Sequence, residues 1–186
     1  MSRSAFYRML GSAAPSAQHA ALAPFWWQPR VHLALFVHRV DDLTPGLYLL
    51  VRRAEALERF RQMMPREFEW ETPEGCPPEL DLWRLESADA RRVSAQVSCR
   101  QDIASDGCFS LGMLAELESS IARFGPWFYP RLFWETGAIG QVLYLEAEAA
   151  GLRGTGIGCF FDDAVHQLFG LTGHEFQSLY HFTIGM

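Results

Sequence analysis

Residues 133–184 decide the fold and read FWETGAIGQVLYLEAEAAGLRGTGIGCFFDDAVHQLFGLTGHEFQSLYHFTI. The apolar pattern predicts a long helix over 130–150, and Gly151 follows it at the position where a helix commonly ends. The run Gly154-Thr155-Gly156-Ile157-Gly158 is then predicted to form a turn into a strand. A bare backbone turn beside a helix that permits close packing is a way to hold a flat aromatic cofactor at a subunit interface.

The remainder of this stretch predicts three more elements. They are a strand over 155–160, a helix over 163–169 capped by Asp162, and a closing strand over 176–184. The glycines follow a helix and lead into a strand, whereas a dinucleotide fingerprint needs glycines between a strand and a helix. A Rossmann nucleotide site is therefore disfavoured. Two interpretations stay open for the glycines: a bed for a flat ligand, or a turn that needs glycine for its dihedral angles.

The long helix carries small residues on one face, which would let another backbone approach closely. These are Gly137, Ala138, Gly140, Ala147, Ala149 and Ala150. The pattern predicts tight packing, either inside one subunit or across a dimer. An ordinary core helix is the alternative, because several large apolar side chains of the same helix also favour burial.

Composition excludes several function classes. The chain has 186 residues, of which 49% are hydrophobic and 13% aromatic, and all sixteen basic side chains are Arg. A net charge of −6 argues against a nucleic-acid partner, and the lack of Lys removes the usual Schiff-base nucleophile. No apolar run is long enough for a membrane span, and no secretory signal is recognisable. We expect one domain over 1–186 in the cytoplasm.

The rest of the chain predicts strands and helices in an α+β arrangement. The strongest signal is a hairpin, with strands over 31–40 and 47–52 joined by a turn over 41–46. The other predicted elements are helices over 4–10, 54–64, 88–103 and 119–124, and strands over 81–85 and the first half of 108–117. Residues 1–30 are predicted to form a short helix and a loop, and residues 65–80, rich in Pro and Glu, a lid or insertion.

Other polar groups give weaker signals. His32 and His38 share one face of the first strand, but no histidine pair has metal-ligand spacing, so no metal site is predicted. Asp102, in the segment 101–106, is interpreted as an acid or base group or as a solvated helix cap. Two interpretations stay open for Phe25-Trp26-Trp27: an exposed contact surface, or a hydrophobic plug that folds back onto the protein. Four cysteines without CxxC spacing are predicted to be reduced: Cys76, Cys99, Cys108 and Cys159.

Four blocks of the chain resemble the FMN-dependent nitroreductase superfamily, most closely its dehydrogenase branch related to azoline oxidases of peptide natural-product clusters. They read HLALFVHRVDDLTPGLYLLVRR, SCRQDIASDGCFSLGMLAEL, ETGAIGQVLYLEAEAAGLRGTGIGCFFDDAVHQLFGL and QSLYHFTIG. The blocks cover roughly residues 31–185, and the third is the most specific.

The resemblance implies a nitroreductase-like α+β fold: a central, mostly antiparallel sheet flanked by helices, and a long helix that forms a homodimer. It implies FMN at the dimer interface. Gly156, Ile157 and Gly158 inherit the backbone contact with the flavin ring, and Gly137 and Gln141 lie at the matching start of the long helix. The flavin would supply the redox chemistry, and no side chain is identified as a catalytic acid.

The resemblance also implies a phosphate-binding Arg-Arg-Ser-x-Arg motif at the N-terminus, of which Arg3 and Ser4 are the part retained here. The superfamily's basic residue beyond the last strand has no counterpart, because the sequence ends at Gly185-Met186. Arg8 and Arg30 are candidates to supply that charge. The implied reaction passes electrons between a nicotinamide donor such as NAD(P)H, or a small-molecule or peptide substrate, and a second acceptor.

Two alternatives to this enzyme stay open. The chain would serve as a flavin-free nitroreductase-like subunit that binds or assembles with a partner, or as one half of a two-lobed enzyme. Bound flavin in the purified protein separates the enzyme from the first alternative.

Overall fold

The fold is built on a six-stranded sheet in which every neighbouring pair of strands is antiparallel. The computed structural model describes residues 1–15 and 19–186. The strands are β1 (Val31–Val37), β2 (Gly46–Leu50), β3 (Leu82–Ser87), β4 (Phe109–Glu116), β5 (Arg153–Ile157) and β6 (Phe176–Gly185). Their order across the sheet is β3-β2-β1-β4-β6-β5, so β5 lies at one edge.

Helices cover both faces of this sheet. They are α1 (Arg3–Ala13), α2 (Leu57–Met63), α3 (Arg91–Val97), α4 (Ile103–Asp106), α5 (Leu117–Phe124), α6 (Tyr129–Ala149) and α7 (Asp162–Phe169). Single 3₁₀ turns at Ala54–Ala56 and Pro126–Phe128 precede α2 and α6. The 21-residue α6 is the longest helix among the described residues, as predicted, and Gly151 beyond its end has a left-handed φ of 70°.

The side chains of β1 explain why the sheet is covered twice. Every residue of β1 is buried, so both faces of the strand need apolar partners. Leu33 and Leu35 join the core on the side of α1 and α6. Ala34 and Phe36 join a second core on the side of α2 and α7. Since successive residues of a strand point to opposite faces, one apolar strand ties the two cores together.

The carboxylate of Glu116 is buried and surrounded by basic side chains. Glu116, at the end of β4, is fully buried and accepts hydrogen bonds from His32, Arg53 and Arg59, with Arg30 also in ion-pair range. His32 Nδ1 accepts the Arg52 N–H at 3.1 Å, so its Nε2 carries the proton donated to Glu116. Burial alone would raise the pKa of Glu116, but the hydrogen bonds from His32 and the arginines hold it well below its usual range.

The prediction of a single helix over 88–103 is wrong. It is divided into α3 and α4 by a turn in which Cys99 and Arg100 have φ values of 54° and 59°. Two successive left-handed residues cannot continue an α-helix. The turn is fixed by contacts from distant parts of the chain, described below.

Three smaller predictions also need correction. β4 is a strand over its whole length and not only in its first half. Asp162 is the first residue of α7 and not its cap, which is Phe161; the Asp162 carboxylate instead accepts the N–H of Asp163. The predicted strand over 155–160 is displaced to 153–157.

In the aromatic loop Phe25-Trp26-Trp27, one tryptophan is packed and another is exposed, so each of the two interpretations holds for part of the loop. Trp27 packs partly buried on the first core and donates its Nε1–H to Glu135 at 3.1 Å. Trp26 packs edge-on against Phe124, yet remains 68% exposed. Residues 16–18 of the predicted loop lie outside the described residues. The lid over 65–80 stays a prediction; within it, Glu71 bridges to Arg84 of β3.

Replacing Glu116 by Gln should lower the free energy of unfolding by about 3–5 kcal/mol at neutral pH, because buried Arg30 and partly buried Arg53 and Arg59 lose their counter-charge. The lowered pKa in the folded state means that this contribution is present above the ordinary value of 4.5. It is lost as pH falls below that value. Urea denaturation of wild type and variant at several pH values measures both effects.

Glu118→Gln is the matched control, since Glu118 is exposed and two residues further along the chain. Its effect should stay within about 0.5 kcal/mol. Equal losses in the two variants, or a Glu116 effect that grows in acid, would contradict the assigned role.

Candidate functional site

The glycine run lies mainly within the edge strand β5 and not in a turn, which corrects the prediction. Neither Gly154 nor Gly156 has a positive φ, so the alternative that they are needed for turn dihedrals is wrong. A Cβ at Gly154 would lie 2.9 Å from the Phe182 ring. A Cβ at Gly156 would lie 2.0 Å from the Tyr180 hydroxyl. Aromatic side chains of β6 therefore require both glycines.

Gly158 differs from these two glycines, because a Cβ there would meet nothing within 4 Å. Gly156 donates its N–H to the Tyr144 hydroxyl at 2.9 Å, and Ile157 is buried and pairs with His181 of β6. Among the described residues, the N–H groups of Gly158, Cys159 and Phe160 have no hydrogen-bond partner. Gly158 thus belongs to the predicted set, and the other two available donors lie one and two residues beyond it.

His181 forms the floor beneath this donor segment, residues 158–160. The Phe160 ring stacks on the His181 imidazole with centroids 4.4 Å apart and planes 10° apart. Ser98 Oγ lies 3.2 Å from Nδ1, and Ser178 Oγ lies 3.3 Å from Nε2. Burial lowers the pKa of His181 to about 4, so the ring is neutral at pH 7 and supports Phe160 without adding charge. Sequence spacing gave no signal for this contact.

The turn between α3 and α4 packs against the donor segment. Gln101 donates its Nε2–H to the carbonyl oxygens of Ser98 at 2.8 Å and of Cys159 at 3.0 Å. Phe161 donates its N–H to the carbonyl of Val97 at 2.8 Å. Asp102 takes the cap position of α4 without a side-chain cap bond and is exposed. The predicted polar segment 101–106 therefore contributes Gln101 as a positioning group.

Gly137 and Gln141 lie on the exposed face of α6. A Cβ at Gly137 would meet nothing within 4 Å, so this face is open. Tyr144, three residues after Gln141, lies on the same side of the helix. Its hydroxyl contacts Gly156 of β5, and its ring lies edge-on to Phe182. The structure thus brings the predicted helix residues and the predicted glycine residues onto adjoining elements.

Arg3 and Ser4 lie in another place. They line a cleft of about 770 Å³ together with other residues of α1 and with the segment 75–80. Arg3 Nη1 donates to the Asp42 carbonyl at 3.1 Å, and Ser4 Oγ lies 3.1 Å from Ser2 Oγ. This cleft contains no residue of β5, so the two predicted halves of the site do not share it.

A second basic cleft adjoins the donor segment. It has a volume of about 410 Å³ and is lined by four arginines, Arg39, Arg91, Arg92 and Arg100, and by the carboxylates Asp102 and Asp106. Arg91 is paired with Asp89. Within the described part of the chain, Arg92 and Arg100 have no carboxylate within 4.0 Å. Arg100 directly precedes Gln101, which contacts Cys159, so the cleft and the donor segment share one turn.

The chain matches the model of the Nitroreductase family over residues 11–186. The chain belongs to the Nitroreductase family. The family resemblance seen in the four sequence blocks is confirmed. Within residues 1–15 and 19–186, no group of three metal-binding side chains is placed to hold an ion. No helix in the same part of the chain is long and apolar enough to cross a membrane.

Solved structures share the nitroreductase-like α+β fold of this family member. An Anabaena variabilis protein assigned as a nitroreductase superposes with a TM-score of 0.71 at 21% identity, over 100% of this chain and 34% of that one. A chain of the E. coli microcin synthetase McbBCD complex, with truncated pro-MccB17 bound, gives 0.68 at 14% identity, over 100% and 64%. A Ralstonia eutropha protein, also assigned as a nitroreductase, gives 0.59 at 16% identity, over 97% and 71%.

The predicted fold class is therefore confirmed. This nitroreductase-family chain spans 34% and 64% of the lengths of the first two of these proteins. No curated protein matches the chain significantly.

The two kinds of glycine predict opposite results for substitution by Ala. Gly154→Ala should lower the free energy of unfolding by about 1–3 kcal/mol, because its Cβ would overpack against the buried Phe182 ring. Gly158→Ala, where the space is open, should change it by less than about 0.5 kcal/mol. Urea denaturation of both variants tests this difference, and equal costs would show that the glycines do not differ in packing.

Proposed function

We propose that this nitroreductase-family protein is an FMN-dependent oxidoreductase that works as a homodimer. The observation that carries the proposal is the donor segment: three successive backbone N–H groups without a partner in residues 1–15 and 19–186, beside an open apolar helix face. A flat ligand with acceptor atoms along one edge fits such a row of donors. When bound, the flavin would supply the electron transfer, and the protein would hold and orient it.

The ring side of the proposed site uses five backbone positions. Gly158, with Cys159 and Phe160, would donate N–H groups to the ring edge. Gly156 and Ile157, the other predicted contacts, support this segment by fixing β5 on β6 and on Tyr144. The neutral His181 supports Phe160 through ring stacking.

The homodimer is supported by the exposed face of α6. Large apolar side chains lie exposed along one stripe around Gly137 and Gln141: Phe133, Trp134, Tyr144 and Leu145. A stripe of this kind on a single chain marks an interaction surface. Gly137 would let the backbone of a second copy approach, and a two-fold axis would pair the same stripe on both copies. The proposed ring site at β5 would then be covered by the second α6.

Two positions compete for the flavin phosphate. Arg3 and Ser4 are the positions implied by the family motif, but they line a cleft with the segment 75–80. Arg92 and Arg100 lie in the cleft that shares a turn with the donor segment. We infer that the second cleft takes the phosphate, because Arg92 and Arg100, which have no carboxylate within 4.0 Å among the described residues, favour a dianion, and the ring site adjoins them.

The substrate is proposed to be a small molecule or a peptide, with a nicotinamide as electron donor. The E. coli complex with a truncated pro-peptide bound supports the peptide class. The four free cysteines fit a protein of the reducing cytoplasm. The Anabaena variabilis protein, of which this chain covers 34%, favours a second arrangement in which this chain supplies one lobe of a longer enzyme.

Purified protein should bind FMN and quench its fluorescence, and light scattering should give a dimer. Leu145→Glu places a charge in the exposed stripe, so it should yield a monomer that binds FMN at least tenfold more weakly (about 1.4 kcal/mol or more). Ile103→Glu, at an exposed apolar residue of α4, is the control and should keep both properties. A wild-type dimer without FMN affinity would instead support the flavin-free subunit.

The same titrations separate the two phosphate positions. Each variant is titrated with FMN and with riboflavin, which lacks the phosphate. Arg100→Ala should weaken the binding of FMN but not of riboflavin. Arg3→Ala should leave the affinity for both ligands unchanged. The reverse pattern would place the phosphate at α1.

A further inference from the structure

Two cysteines, Cys99 and Cys159, lie where the donor segment meets the turn between α3 and α4. The Val97 carbonyl accepts the Phe161 N–H, and further along the turn Gln101 donates to the Cys159 carbonyl. The later residue of one segment thus pairs with the earlier residue of the other, so the two segments run antiparallel. Cys99 lies between Val97 and Gln101, and Cys159 is the residue that Gln101 contacts, so both cysteines lie at this junction.

The two thiols differ in access to solvent. Cys99 is half-buried, and Cys159 is exposed. The pKa of Cys99 is raised, first by its hydrogen-bonding interaction with the Cys159 thiol. The φ of 54° at Cys99 is rare for a residue with a side chain, and such backbone is typically found at functional positions. The other two cysteines lie elsewhere: Cys76 near the Leu80 carbonyl and Cys108 near the N-terminal amine.

We propose that Cys99 and Cys159 are a thiol oxidation site that closes to a reversible intramolecular disulfide. The exposed Cys159 thiolate attacks a low-molecular-weight disulfide, forms a mixed disulfide and releases one small thiol. The Cys99 thiolate then attacks the Cys159 sulfur, forms the intramolecular bond and releases the second small thiol. Two protein thiols are oxidised and one small disulfide is reduced, and the two protons leave with the released thiols.

The bond would join the donor segment covalently to the turn that carries Arg100 into the basic cleft. The redox state of the surroundings would then decide whether the donor segment and this turn are covalently joined. Thiol oxidation here is a property of the chain itself and does not require that FMN binds. Its failure and the failure of the proposed function are therefore distinguishable.

The test uses the full chain treated with glutathione disulfide under native conditions. Intact mass should fall by two hydrogens, a Cys99–Cys159 cross-linked peptide should appear after digestion, and a dithiol reductant should reverse both. Cys99→Ser should stop at a stable glutathione adduct on Cys159, because the attacking partner is absent. Cys76→Ser is the control and should cross-link like the wild type.

Three results would overturn the proposal. The first is a wild-type protein that ends as the Cys159 glutathione adduct. The second is a disulfide between two chains on a non-reducing gel. The third is an unreacted wild type under conditions in which the urea-unfolded chain is oxidised. Circular dichroism of each variant verifies that it is folded before the reaction is scored.

Discussion

The carboxylate of Glu135 is the interaction on which the arrangement of the molecule depends. It is 2% exposed and lies on α6, yet it accepts hydrogen bonds from the backbone N–H groups of Arg30 and Val31 at the start of β1. It also accepts from Trp27 Nε1 at 3.1 Å and from Arg52 Nη1 at 2.6 Å. A buried charge is tolerated only when it is paired and hydrogen-bonded, so these donors fix α6 to the sheet at one rotation.

This fixed rotation determines what the two faces of α6 do. Ile139 and Leu143 pack in the core with β1 and α1, and the opposite face carries the exposed apolar stripe. Tyr144, a member of this exposed stripe, reaches the edge strand β5. Gly154 and Gly156 let aromatic side chains lie against β5. The N–H groups of residues 158–160, just beyond this strand, find no partner in the described part of the chain. The geometry of the candidate site thus follows from the fixed positions of α6 and of the edge strand β5.

The sequence predicted the elements whose pattern is local and strong. The strand around 31–37 and the helix over 129–149 follow from continuous apolar character and from helical spacing, and both lie within a few residues of the prediction. The division of the helix over 88–103 has another origin. It is held by Ser98 on His181 and by Gln101 on Cys159, contacts with residues 83 and 58 positions away that no local pattern encodes.

The site was predictable in part for the same reason. The family resemblance indicated the glycine run, but which atoms occupy the space beside each glycine depends on Tyr180 and Phe182 of β6. For this reason the sequence could not separate the packed Gly154 and Gly156 from the open Gly158. Assignment of backbone amides by NMR in isotope-labelled protein titrated with FMN tests the central claim most directly. The largest shifts are expected at Gly158, Cys159 and Phe160. Shifts confined to the cleft of Arg3 and Ser4, with the donor segment unchanged, would contradict it.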